Sequence, residues 1–132
     1  MSEQDLTIRE MCDAFGVTAR TLRFYEAKEL IAPRRDGQRR FYGKRDRARL
    51  KLILRGKRFG LSLEDIRQLL DLYARDSQNE AQMRRAIEIG QTRLDQMKAQ
   101  RAELDEAIRD LEAELDWGAT ELARLSAAPH QN

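Results

Sequence analysis

The stretch Phe15-Gly16-Val17-Thr18-Ala19-Arg20-Thr21-Leu22-Arg23-Phe24-Tyr25-Glu26 decides how this chain is read. Upstream of it, Thr7-Ile8-Arg9-Glu10 has the spacing of a capping box, in which the Thr and Glu side chains satisfy each other's free backbone donors. Ile8, Met11, Cys12 and Phe15 then recur at helical spacing and predict one buried face. Gly16 stops this helix, Val17 follows as a small apolar hinge, and Thr18 caps a second helix that runs to about Lys28. Two short helices joined by a tight glycine-containing turn form a helix-turn-helix.

Working outward, Pro33 cannot continue a helix, and Asp36-Gly37 is a favourable hairpin turn. Arginines lie on both arms of that hairpin, at Arg34-Arg35 and Arg39-Arg40-Phe41-Tyr42, which predicts a two-stranded wing. Asp46 reads as the cap of a third helix with Leu50, Ile53 and Leu54 facing the core, and Gly60 as its end. Ser62-Leu63-Glu64-Asp65 opens a fourth helix whose stripe is Leu63, Ile66, Leu69, Leu70 and Tyr73. The polar stretch Arg75-Asp76-Ser77-Gln78-Asn79 reads as a joint between domains.

From about Glu80 to Asp116 only Gly90 interrupts the helical pattern, at a cost of roughly 1 kcal/mol relative to alanine. Counting in sevens places Ile87, Leu94, Ile108 and Leu115 at one seam position, and Met83, Met97, Leu104 and Leu111 at the other. Gly90 and Arg101 are the exceptions. Such a repeat is a coiled-coil seam, and a helix of that extent is about 55 Å long at 1.5 Å per residue. It has no comparable partner within the chain, so a two-fold homodimer is expected. The alternative is that residues 117–128 fold back over the seam, of which they could cover only a fraction.

Charge separates the two parts. Residues 1–60 hold 16 Lys and Arg against 8 Asp and Glu, whereas residues 61–132 hold 9 against 15. Residues 34–58 alone carry 12 basic side chains and two acidic ones, Asp36 and Asp46. Such a split suggests a nucleic-acid-binding end joined to something else. The second helix of a helix-turn-helix enters the major groove, and here it offers Arg20, Thr21, Arg23 and Tyr25 behind the cap Thr18. Arginine can give two hydrogen bonds to guanine, and threonine or tyrosine suits a phosphate or a thymine methyl. Tyr25 can equally pack on the core, since its ring is amphipathic. Arg34, Arg35, Arg39 and Arg40 would meet phosphates or the minor groove.

Other functional classes find little support. The sequence has no catalytic histidine, no nucleophile with an adjacent base and no phosphate-cradling glycine loop, so an enzyme is not expected. A coiled-coil adaptor would explain residues 80–116 but not the charge split. An architectural DNA protein would differ by binding without an operator. No stretch approaches the roughly 18 apolar residues of a membrane span. The acidic, polar N-terminus is unlike a secretory signal, so a cytoplasmic protein without membrane contact is expected.

The motifs together resemble the MerR family of bacterial regulators. The likeness runs through Leu6-Thr7-Ile8-Arg9-Glu10, the stretch 15–26, Leu30-Ile31-Ala32-Pro33-Arg34, Arg40-Phe41-Tyr42 and Phe59-Gly60-Leu61-Ser62-Leu63-Glu64-Asp65-Ile66. It implies a mainly α fold, with a winged helix-turn-helix DNA-binding domain (1–75) followed by a long coiled-coil dimerisation helix and short tail (76–132). It also implies an antiparallel dimer on a pseudo-palindromic operator in double-stranded promoter DNA, acting on RNA polymerase by distorting the spacer between promoter elements. By matching position, Arg20, Arg23 and Tyr25 carry the helix contacts, and Arg40 and Tyr42 those of the wing. Arg39 departs from the many relatives that have an aromatic or small polar residue there, and adds charge to the wing.

The same resemblance frames the signal. The family's metal sensors use cysteines at the start of the dimer helix and in a following loop. Here Ser77, Gln78 and Asn79 stand near the first position, and the only cysteine, Cys12, lies on the apolar face of the first helix. The only histidine is His130. Metal, thiol and iron–sulfur sensing therefore lack ligands, and no cofactor is expected. Trp117, Leu122 and Leu125 could cap the coiled coil or close a small pocket at its end. The run from Arg45 to Arg58 resembles a subgroup controlling branched-chain amino-acid and acyl-CoA breakdown, which implies an acyl-CoA-like effector.

Overall fold

The structure, a computed structural model, describes residues 5–74 and 80–128, and the side chains of all of these but Tyr73 and Ala74. The polar joint expected at residues 75–79, the Tyr73 side chain and His130 lie outside that description. The chain divides into two compact units, Met1–Gly90 and Gln91–Asn132.

The first unit opens with β1 (Leu6–Thr7) and α1 (Ile8–Phe15), followed by α2 (Ala19–Ala27). The capping box forms as the sequence predicts: Thr7 Oγ1 accepts from the Glu10 amide at 3.2 Å, and Glu10 Oε1 accepts from the Thr7 amide at 2.9 Å. Gly16 ends α1 at a φ of 66°, a left-handed conformation that glycine adopts without a Cβ penalty. α2 ends differently. The Leu30 amide returns to the Tyr25 carbonyl and the Glu29 amide to the Glu26 carbonyl, both at 2.9 Å. This is a Schellman closure with Glu29, at a φ of 60°, in the place glycine usually takes. The turn directs Leu30 and Ile31 into the core, where both are buried.

The wing consists of β2 (Arg34–Asp36) and β3 (Arg39–Tyr42), joined by Gly37 and Gln38. The turn thus lies one residue later than the expected Asp36-Gly37, and Gly37 with a φ of 63° takes its first position, as a type II′ hairpin requires. β1 pairs with the other edge of β3, giving an antiparallel sheet in the order β1-β3-β2. The third strand is absent from the sequence reading because two residues carry no period.

Two arms complete the unit: α3 (Lys44–Arg58) and α4 (Leu63–Ala74), with the first turns of α5 (Glu80–Ala127). Asp46 is not the cap of α3. The helix begins two residues earlier behind Gly43, and Asp46 sits in its first turn, buried, accepting from the amides of Ala32 at 2.9 Å and Gly43 at 3.4 Å. Met11, Leu22, Leu30, Ile31, Tyr42, Leu50, Ile53, Ile66 and Leu70 form one core from every helix of the unit up to α4. At Gly56 a Cβ would stand 2.7 Å from Ile66 Cγ1, so the close approach of α3 to α4 depends on glycine.

The second unit contains the remainder of α5. The helix does not stop at Asp116 as expected but continues through Trp117 and Gly118 to Ala127, so residues 117–127 do not turn back over the seam. Gly118 costs the helix about 1 kcal/mol relative to alanine without breaking it. The architecture is therefore mainly helical, a winged helix-turn-helix followed by a long C-terminal helix.

Candidate nucleic-acid interface

α2 buries Leu22 and Tyr25 one turn apart, which fixes its orientation and turns Arg20 and Arg23 outward. Neither arginine makes a hydrogen bond or ion pair among the described residues. At the start of the helix, the Thr18 hydroxyl accepts from the Thr21 amide at 3.1 Å and lies 2.9 Å from the Thr21 hydroxyl. These two threonines hold the helix N-terminus, the end whose free amides favour an anion such as a phosphate.

The wing is organised by two side chains. On one face, the guanidinium carbons of Arg34 and Arg39 lie 4.7 and 5.4 Å from the centre of the Phe41 ring, a cation–π arrangement that extends both side chains. On the other face, Arg35 and Arg40 are directly opposed across the strands, and like charges so placed repel. Glu26 of α2 resolves this, with Oε1 accepting from Arg40 Nε at 2.6 Å and Oε2 lying 3.5 Å from Arg35. Arg34 also lies 3.6 Å from Asp5. Between wing and helix, Arg23, Arg39 and Arg40 share the lining of a cleft of about 270 Å³ with Thr7, Ile8 and Gln38. The geometry thus brings Arg23 together with Arg39 and Arg40 of the wing but not with Arg34 or Arg35, and Arg40 is engaged by Glu26.

Two expected contacts prove to be core residues. Tyr42, expected as a wing contact, has no exposed surface, and its ring fills the interior. Tyr25 keeps only 4% of its surface open, so its ring also belongs to the core. Burial raises the pKa of both phenols above the usual tyrosine value, and at Tyr42 the Glu26 charge adds to the effect.

The basic run on α3 is of two kinds. Arg49 Nε donates to the Leu30 carbonyl at 2.6 Å, and Arg47 donates to the Tyr42 carbonyl at 3.2 Å. From α4, Arg67 reaches the Lys28 carbonyl at 2.5 Å. Arg49 and Arg67 thereby supply donors just beyond the C-terminus of α2, where cations are favoured. Burial, and then the neighbouring Arg45, lower the Arg49 pKa. Lys44, Arg45, Lys51, Arg55, Lys57 and Arg58 remain exposed.

Sequence reasoning missed Glu26, Phe41 and the exposed Phe24, whose ring lies 5.6 Å from Lys28 Nζ. A carboxylate following the arginine-bearing face of the helix was a usable signal for Glu26. Phe41 was visible only as the partner of Arg34 once the hairpin register was known. Along α5, the seam residues Met83, Ile87, Leu94, Met97, Leu104, Ile108, Leu111 and Leu115 are all exposed, as are Trp117, Leu122 and Leu125.

Residues 6–72 match the family described as "MerR HTH family regulatory protein", and residues 47–113 match "MerR, DNA binding". The HTH-type transcriptional regulator HmrR of Rhizobium leguminosarum bv. viciae is 35% identical over 108 residues, covering 81% of each chain. Among solved structures, HiNmlR, a MerR family regulator lacking the sensor domain and bound to promoter DNA, superposes with a TM-score of 0.64. It is 25% identical and covers 90% of this chain and 94% of its own. PbrR691 from Ralstonia metallidurans CH34, in complex with lead(II), gives a TM-score of 0.56 at 27% identity over 100% of this chain and 92% of its own. With the winged helix-turn-helix in place and both family descriptions matched in order, the chain belongs to the MerR family, whose members are DNA-binding transcription regulators rather than enzymes.

Proposed function

We propose that this regulator binds a pseudo-palindromic operator in promoter DNA as a homodimer, with residues 1–75 reading DNA and residues 76–132 pairing the copies. The observation that carries the reading is the cleft that Arg23 shares with Arg39 and Arg40 of the wing, beside an α2 face whose Arg20 and Arg23 have no competing partner among the described residues. Arg20 and Arg23 read base edges. Thr18 and Thr21 seat a phosphate at the helix N-terminus. Arg34, Arg35 and Arg39 follow the backbone, and Arg40 does so to the extent that Glu26 releases it. Exposed seam residues along α5 support the second copy, since an unpaired apolar stripe of this length favours association. Two copies of α2 then meet two half-sites and distort the DNA between them for RNA polymerase.

The effector is a small non-metal molecule in this reading. One cysteine and one histidine in the whole sequence are too few soft ligands for a thiolate or imidazole site, and among the described residues no three His, Cys, Asp or Glu side chains cluster. The likeness of residues 45–58 to regulators of acyl-CoA breakdown points to an acyl thioester. Calorimetry that gives no heat with such thioesters counts against that class.

A footprint on the promoter beside the protein's own gene tests the function. A short symmetric protected site that survives random competitor DNA supports it, and diffuse protection erased by competitor overturns it in favour of an architectural role. Sedimentation of the full chain tests the dimer separately.

A further inference from the structure

Within the first unit, between α3, α4 and the first turns of α5, lies a cavity of about 250 Å³. Its lining is buried at Gly56, Ile66 and Leu72 and open at Phe59 and Met83. The hollow cannot close by drawing α3 and α4 together. A Cβ on Gly56 would already stand 2.7 Å from Ile66 Cγ1, so the two helices are at their closest approach there. On the α5 side, Arg85 Nε donates to Gln68 of α4 at 3.0 Å, next to Leu69, Leu72 and Ala86, and this bond spaces those helices.

Arg55 is the one charged side chain among the described residues of this lining, and no carboxylate shares it. Arg47 and Arg49 of the same helix are spent on carbonyls of the chain. Arg55 is exposed and makes no hydrogen bond or ion pair among the described residues. An arginine lays its stem along apolar surface and keeps its head toward water, which leaves the guanidinium donors of Arg55 available at the cavity. An apolar hollow with a single polar group to fix orientation has the chemistry of a small-ligand site. Its complement is an apolar chain that ends in an oxygen acceptor.

We propose that this cavity binds a short acyl chain, whose terminal carbonyl or carboxylate oxygen accepts from Arg55. The proposal rests on the reading of the effector as a small non-metal molecule and gives that molecule a site. The volume lies below the roughly 300–1,000 Å³ of drug-sized sites, which keeps the chain short. A free carboxylate and a thioester both present this chemistry. Because α3, α4 and α5 each supply part of the lining, a bound chain adds contacts to all three at once and holds the first turns of α5 against the DNA-binding domain.

Calorimetry on the full chain without DNA tests the site, with butyrate, hexanoate, octanoate and the matching coenzyme A thioesters as probes. Affinity should climb about fourfold for each added methylene until the cavity is full. Arg55→Gln should weaken binding about tenfold and leave the dependence on chain length intact. Ala86→Phe should abolish that dependence by filling the space from α5, and Leu69→Phe should do the same from α4 if the first variant folds poorly. Heat from the thioesters alone identifies an activated acyl group as the ligand, and heat from the free acids alone a carboxylate; either supports the site when the substitutions act as stated. Binding that none of them changes lies elsewhere and overturns the site, while the effector reading stands. Silence from every probe, or binding only at dilutions that split a dimer because a second copy covers the cavity, also overturns it. A chain that binds here without altering operator affinity leaves the site and overturns the effector reading instead.

Discussion

Arg40 of the wing donates to Glu26 of α2 at 2.6 Å, and both side chains are about four-fifths buried. The same carboxylate also faces Arg35, so one acidic residue on α2 neutralises the two opposed arginines of the hairpin. Position and charge of the wing are thus set from α2. Changing Glu26 to alanine should release both arginines to the DNA backbone. Binding to random DNA should then rise, and the salt dependence should steepen by about 0.9 in log–log slope for each added phosphate contact. Titrations at several salt concentrations decide it: an unchanged slope with weaker binding would mean that Glu26 only holds the wing in place.

Arg23 and Lys57 are both exposed, yet they stand on different elements and should fail differently. Arg23 lines the cleft shared with the wing, whereas Lys57 lies in the last turn of α3. Arg23→Ala should cost roughly 1–3 kcal/mol on the operator and relax discrimination at one base position. Lys57→Ala should weaken binding evenly across sequences and flatten the salt slope by about one unit. A selection over randomised sites separates the two, and equal loss of discrimination in both would remove Arg23 from the reading face.

The parts of this fold that were legible in sequence are those with a local cause. The capping box at Thr7 and Glu10, the cap at Thr18 and the stripe Leu63, Ile66 and Leu70 each depend on side chains within a few residues of one another. Where distant residues decide, the sequence was silent or misleading. Asp46 looks like a helix cap because its principal donor, the Ala32 amide, is fourteen residues away. β1 exists only because β3 offers it an edge. Tyr42 alternates with its neighbours along a strand whose inner face becomes known only once the hairpin is docked. Arg47 and Arg49 count as DNA-binding charge in a composition, while their partners are carbonyls of the chain itself.

Asp46 gives a stability prediction. Its two oxygens serve amides at the end of the α2–wing connection and at the start of α3, in a site where the residue is only 7% exposed. Asp46→Ala leaves both donors without this acceptor and should destabilise the first unit by about 2–3 kcal/mol, toward the large end for a single change. Urea unfolding checks this, and a loss below about 0.5 kcal/mol would show that the connection is held by other contacts.

Tyr42 joins burial to pH. Its hydroxyl is buried and has no hydrogen-bond partner among the described residues, so Tyr42→Phe should leave the melting temperature unchanged or raised, with operator affinity unaltered. The phenol is also held neutral, because burial and the Glu26 charge raise its pKa above the ordinary 10.0. A pKa raised in the folded state means that the unfolded chain loses its proton first. The stabilisation is complete below a pH of about 10 and drains away as pH climbs through the folded value. Melting curves of the parent chain should therefore fall above a pH of about 10, and Tyr42→Phe should reduce that fall. Some of it should persist, since Tyr25 is raised in the same direction. If instead the variant lowers operator affinity while melting as the parent does, Tyr42 touches DNA in the complex and the core assignment fails for the bound state.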